Sequence, residues 1–140
     1  MRASRIVLLA AVVANMLGWV LPAIESPVDE RGWSAFIVAL SPLWNFEDFR
    51  DVPVWLLILM VGSALTNFLF VGLSALLLRG GHPKLVLFTA AAATLLDLHW
   101  VITLESYRGA LEAGYFIWVC SFALLAFAAF LDRQGSPAPR

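Results

Sequence analysis

The chain has 140 residues, 61% hydrophobic and 14% charged, with a net charge of −1 and a mean hydropathy of +0.86. Soluble domains run at about 45–50% apolar and about 25% charged, and a chain this short leaves most residues near a surface, so the composition excludes an ordinary soluble domain and predicts a surface that faces lipid. The near-zero charge gives no electrostatic case for a nucleic-acid partner, and the single cysteine, Cys120, excludes an intramolecular disulfide and a cysteine-pair metal site.

Four apolar runs follow in chain order. The first is 6–24, broken by Asn15; the second is 52–78, with Asn67 inside; the third is 85–104, carrying Asp97 and His99; the fourth is 113–131, with no charge. A helix needs about 20 residues to span the hydrocarbon layer, and backbone groups in lipid must be satisfied within their own segment, so each run predicts a transmembrane helix. The expected fold is all-α, an integral membrane four-helix bundle forming one domain over 1–133, with a flexible tail at 134–140. Arg2, Arg5 and the run Ile6–Val13 resemble a signal peptide. The small-residue cleavage site is poorly formed and the apolar stretch continues through Trp19 and Leu21, so a retained span is expected.

Between the first two spans lies a segment that is apolar but too short to cross. Residues 32–40 are followed by Pro42 and then Trp44 and Phe46. This segment, 32–46, is expected to be a short interfacial or re-entrant helix in the first extracytoplasmic loop. Trp33, Phe36, Trp44 and Phe46 are its candidate contact residues, toward lipid or a protein partner. The segment suits either a lid over the bundle or a docking surface.

Basic residues set the expected orientation. Arg2, Arg5, Arg79, Lys84, Arg133 and Arg140 fall on one side of the four spans, and Arg31, Arg50 and Arg108 fall on the other among eight acids. Lys and Arg bias short loops toward the cytoplasm, so both termini and the turn 80–83 are expected inside, in a membrane of the bacterial inner type.

Asp97 lies thirteen residues past Lys84, Asn67 twelve before Arg79 and Asn15 ten past Arg5. At the helical rise these depths are about 20, 18 and 15 Å. Each sits on a stripe at helical spacing that is rich in small residues: Ala90, Ala93, Thr94, Asp97 and Val101; Ser63, Ala64, Asn67, Val71 and Ser74; Ala11, Asn15, Gly18 and Pro22. Small residues allow close helix approach, and polar side chains bond across the gap. An intramembrane polar cluster of Asp97, Asn67, Asn15, Thr94 and Ser63 is therefore expected, closed by Gly114, Ile117, Trp118, Ser121 and Leu125 of the fourth span. Tyr115, Phe116 and Trp118, with Trp19 and Trp55, also suit an interfacial aromatic belt.

The cluster has two chemical readings: a hydrogen-bonded clasp that sets helix register, or a protonation or cation site. His99 is two residues from Asp97 and so points elsewhere on the helix; His82 belongs to the opposite end, so no histidine metal site and no cofactor are expected. Nucleophile elbows, phosphate loops and HExxH patterns are absent. The function expected first is a non-enzymatic membrane protein acting through lipid or protein contacts, as a self-associating chain or as a subunit or accessory factor of a membrane assembly. An oligomeric proton- or cation-coupled carrier using Asp97 stands second, and a membrane enzyme acting on lipid or quinone third.

Overall fold

The computed structural model describes residues 3–24, 30–103 and 111–135. Its helices in chain order are α1 (Ala3–Val20), the short α2 (Gly32–Leu40), α3 (Val54–Leu78), α4 (Pro83–Thr103) and α5 (Ala113–Gly135). All but α2 are long and apolar enough to cross a bilayer. The fold is an all-α four-helix bundle.

Prolines set several boundaries. α1 stops at Val20 and does not continue to 24, because Pro22 has no amide hydrogen for the ladder and disfavours helical backbone at Leu21. The chain instead extends as β1 (Pro22–Ile24), which pairs antiparallel with β2 (Glu30–Arg31), Pro22 opposite Arg31 and Ile24 opposite Glu30. Ile24 also bridges to Leu111, and the Glu112 amide donates to the Ala23 carbonyl at 3.0 Å, so this short ladder ties the α4–α5 connection to the end of α1. Pro53 precedes α3 and its carbonyl accepts the Leu56 and Leu57 amides at 2.9 and 3.2 Å. Pro83 opens α4, where its fixed φ suits the first helical turn. Single turns of 3-10 helix at Ser41–Leu43 and Phe46–Phe49 lead from α2 toward α3.

α5 runs to Gly135, so the start of the expected tail is helical; residues 136–140 lie outside the described residues. So do Glu25 and Asp29 of the first loop, Arg2, and residues 104–110 of the last connection.

α5 is the central helix, packed along α1 on one side and α4 on the other, and α3 closes against α4. Alanines dominate the tightest seam: Ala11, Ala90, Ala93, Ala128 and Ala129 are buried with Leu8, Phe70, Phe122 and Leu125 around them. Side chains this small bring helix backbones into van der Waals contact, which drives association where both lipid and protein are apolar. α1 and α3 touch only sparsely, and α2 bridges them at one end. We call this the lid end; the other, with the Gly80–Pro83 turn, is the turn end. There the Ser4 hydroxyl of α1 donates to Asp132 of α5 at 3.3 Å, which places the start of the first span beside the end of the last.

Two glycines make the lid junction possible. A Cβ on Gly32 would stand 2.0 Å from the Gly18 carbonyl oxygen, and a Cβ on Gly18 would stand 2.6 Å from the Trp118 Cβ. The Gly32 amide donates to the Leu21 carbonyl at 3.2 Å. The end of α1 thus receives α2 through Gly32 and α5 through Gly18, and neither approach tolerates a side chain.

The expected stripe on α3 needs one correction. Val71 is 68% exposed and faces outward, while Phe70 and Ser74 face the core with Ser63, Ala64, Thr66 and Asn67. The inward face is rotated toward Phe70 because the large ring fills the space beside Phe122, at 5.2 Å between centroids.

Candidate functional site

Asp97 is completely buried. Ser63 and Thr66 stand one turn apart on the face of α3 that meets it. The Ser63 hydroxyl donates to Asp97 Oδ1 at 2.8 Å, and Thr66 Oγ1 lies 3.3 Å from Oδ2. Trp100 adds its indole N–H to the Ser63 oxygen at 3.2 Å, and the Tyr115 hydroxyl donates to the Asp97 carbonyl at 2.5 Å. The Thr66 hydroxyl has one hydrogen and its shorter contact, 2.5 Å, is to the Ser63 carbonyl. An Asp97 that carries a hydrogen of its own completes the Thr66 contact and leaves every member of the group bonded.

Asn67 and Asn15 occupy different seams. The Trp118 indole donates to Asn67 Oδ1 at 2.8 Å, and Asn67 Nδ2 donates to the Ala64 carbonyl at 3.1 Å. Asn15 Nδ2 donates to the Ser121 hydroxyl at 3.1 Å, which donates to the Trp118 carbonyl at 2.6 Å. No hydrogen bond joins Asn15, Asn67 and Asp97 to one another. Each spans its own pair of helices: Asn15 joins α1 to α5, Asn67 joins α3 to α5, and Asp97 joins α4 to α3. Thr94 turns back on its own helix, donating to the Ala90 carbonyl at 2.9 Å.

Tyr115 and Trp118 differ from the aromatic belt expected of them. Tyr115 is buried and Trp118 half-buried, and both use their polar atoms inside the bundle. The reason is local: α5 starts beneath α2 and β1, so its first turns are covered. Helical spacing had already set Trp118 beside Ser121 on the closing stripe. Thr66 and Trp100 carry no such signal, since each becomes polar machinery only through a partner on another helix.

His99 is half-buried, its ring 4.5 Å from that of Trp100 and its Nδ1 paired with the Leu96 carbonyl. His82 is exposed at the turn end. Among the described residues no three His, Cys, Asp or Glu side chains converge as a metal site would require.

The four candidate aromatic residues of the 32–46 segment divide. Trp33, Trp44 and Phe46 are 50–60% exposed. Phe36 turns inward, with its ring centroid 5.1 Å from Trp19 of α1 and 6.0 Å from Phe68 of α3. This row of three rings crosses the gap where α1 and α3 scarcely meet. Behind it, under α2, is a cavity of about 350 Å³ walled by Trp19, Phe36, Leu56, Met60, Ala64 and Trp118. Ser63 and Asn67 also line it.

No protein-family model, curated protein or solved structure matches this chain.

Proposed function

We propose that this chain is a non-enzymatic membrane protein that acts through contacts, as a subunit or accessory factor of a membrane assembly. The observation that carries this reading is how the interior polar side chains are used. Asp97, Asn67 and Asn15 each bond across a helix seam, which is the pattern of a register-setting clasp. Meanwhile α2 has no fully buried residue, and the lid end presents Trp33, Leu43, Trp44 and Phe46 outward. Apolar surface of this kind suits the headgroup layer or a protein partner. Arg5, Arg79, Lys84 and Arg133 gather at the turn end, which supports a cytoplasmic placement for both termini in a bacterial inner-type membrane.

The test compares native size and flux. On a native gel of mild-detergent extracts, the wild-type chain should migrate above its monomer size. Combined Trp33→Ser, Trp44→Ser and Phe46→Ser should return it to monomer while leaving its thermal midpoint within a few degrees. In reconstituted vesicles it should not speed the decay of a pH gradient. A monomeric wild type contradicts the assembly role. A gradient decay that the chain accelerates and Asp97→Asn abolishes would establish the proton carrier instead.

A further inference from the structure

The lid-end cavity has the features of a small-molecule site. Its volume of about 350 Å³ falls within the roughly 300–1,000 Å³ of ligand pockets, which are mostly apolar with a few placed polar groups. At about 30 Å³ per water-sized unit it holds roughly a dozen such units, the scale of a ring system and not of a long chain.

Two polar side chains of the cavity wall can be followed atom by atom. Ser63 donates its hydrogen to Asp97 and accepts from Trp100. Asn67 accepts from Trp118 and gives one amide hydrogen to the Ala64 carbonyl. Its amide nitrogen has two hydrogens, and the second makes no hydrogen bond among the described residues. Leaving a buried donor without an acceptor is unfavourable, so a ligand oxygen that accepts it is favoured. Among the described residues no Lys or Arg lines the cavity, so none of them offers an anionic headgroup a counter-charge. The walls are also rich in flat rings, with Trp19, Phe36, Trp100, Tyr115 and Trp118 all contributing. Flat rings pack best against another flat ring.

We propose that this cavity binds the ring of a neutral, lipid-soluble quinone, with one ring carbonyl accepting the free Asn67 amide hydrogen. The ring enters from the lipid through the gap between α1 and α3, past the Trp19–Phe36–Phe68 row. Any tail stays in that gap. This rests on the cavity and the Asn67 hydrogen count, and it stands whether or not the chain works as an assembly subunit.

Menadione, a planar quinone without a tail, is the probe. Equilibrium dialysis against the purified full chain in detergent micelles, corrected for empty micelles, should give saturable binding at one site per chain. 2-Methylnaphthalene, a similar ring without carbonyls, should bind about tenfold more weakly, as expected for one lost hydrogen bond. Asn67→Leu should weaken menadione by a similar factor and leave 2-methylnaphthalene unchanged. Ala35→Phe, placed on the lid helix where it lines the cavity, should abolish saturable binding of both by filling the space. Binding that rises linearly as in empty micelles, or that survives Ala35→Phe, overturns the site. Equal affinity for the two rings overturns the carbonyl anchor. Displacement of menadione by a fatty-acid methyl ester at lower concentration than by a second quinone would assign the cavity to acyl chains instead.

Discussion

Asp97→Ala should destabilise the folded bundle by about 1–3 kcal/mol, while Asp97→Asn should leave it within about 1 kcal/mol of wild type. Alanine removes the acceptor for the Ser63 hydroxyl and the partner of Thr66, both buried on α3. Groups stranded in this way cannot turn to water within a bilayer. Asparagine keeps the shape and reproduces the bonding of a neutral acid: its carbonyl oxygen accepts from Ser63, and its amide donates to the Thr66 oxygen, which donates in turn to the Ser63 carbonyl. Unfolding of the purified chain in mixed micelles, followed by circular dichroism against an added denaturing detergent, measures both changes. Equal loss in the two variants would mean that Asp97 contributes as a charge and not as a hydrogen-bonded pair.

The second large effect is expected at Gly18. A Cβ there meets the Trp118 Cβ at 2.6 Å and the Trp118 Cα at 3.0 Å. Neither atom can swing aside, because both belong to the α5 backbone region. Gly18→Val must therefore push α1 away from α5 along the most extensive seam in the molecule. Overpacking of this sort costs about 1–3 kcal/mol, and the displaced Trp118 also weakens its bond to Asn67. The same unfolding assay should show a loss in that range. Gly18→Val should also raise accessibility of an engineered Ala11→Cys to a thiol reagent, since Ala11 is buried in wild type. A variant as stable as wild type would mean that the two helices are not held at this distance.

The number and extent of the long helices were legible because they depend on apolar runs and on where Pro, Gly and charge interrupt them. Pro22, Pro53 and Pro83 moved the boundaries by a few residues, and Pro22 also turned the end of the first run into β1. Helix faces were less legible. In a soluble helix, polarity marks the outward side; here both sides are apolar and the period carries little contrast. Small residues gave the missing signal on α1, where Ala11 and Gly18 are buried and Asn15 bonds across to α5, but on α3 they pointed to Val71 in place of Phe70. Within α2 the same lack of contrast hid the fact that Phe36 turns in while Trp33 turns out.

The polar side chains were legible as residues but not as pairs. Depth placed Asn15, Asn67 and Asp97 near one level. It could not say that Asn15 and Asn67 would both bond to α5 while Asp97 bonds to α3, since that depends on which helices lie side by side. The partners Ser63, Thr66, Trp118 and Ser121 are ordinary in the sequence and gain their meaning from the seams they face.

Asp97 works as one half of a bond between α4 and α3. The double-mutant cycle of Ser63→Ala and Asp97→Ala, measured by unfolding in mixed micelles, tests it most directly. Bonds of this kind between membrane helices average about 0.6 kcal/mol and reach about 1.7, and a coupling free energy in that range is the predicted result. Strict additivity of the two substitutions would contradict it.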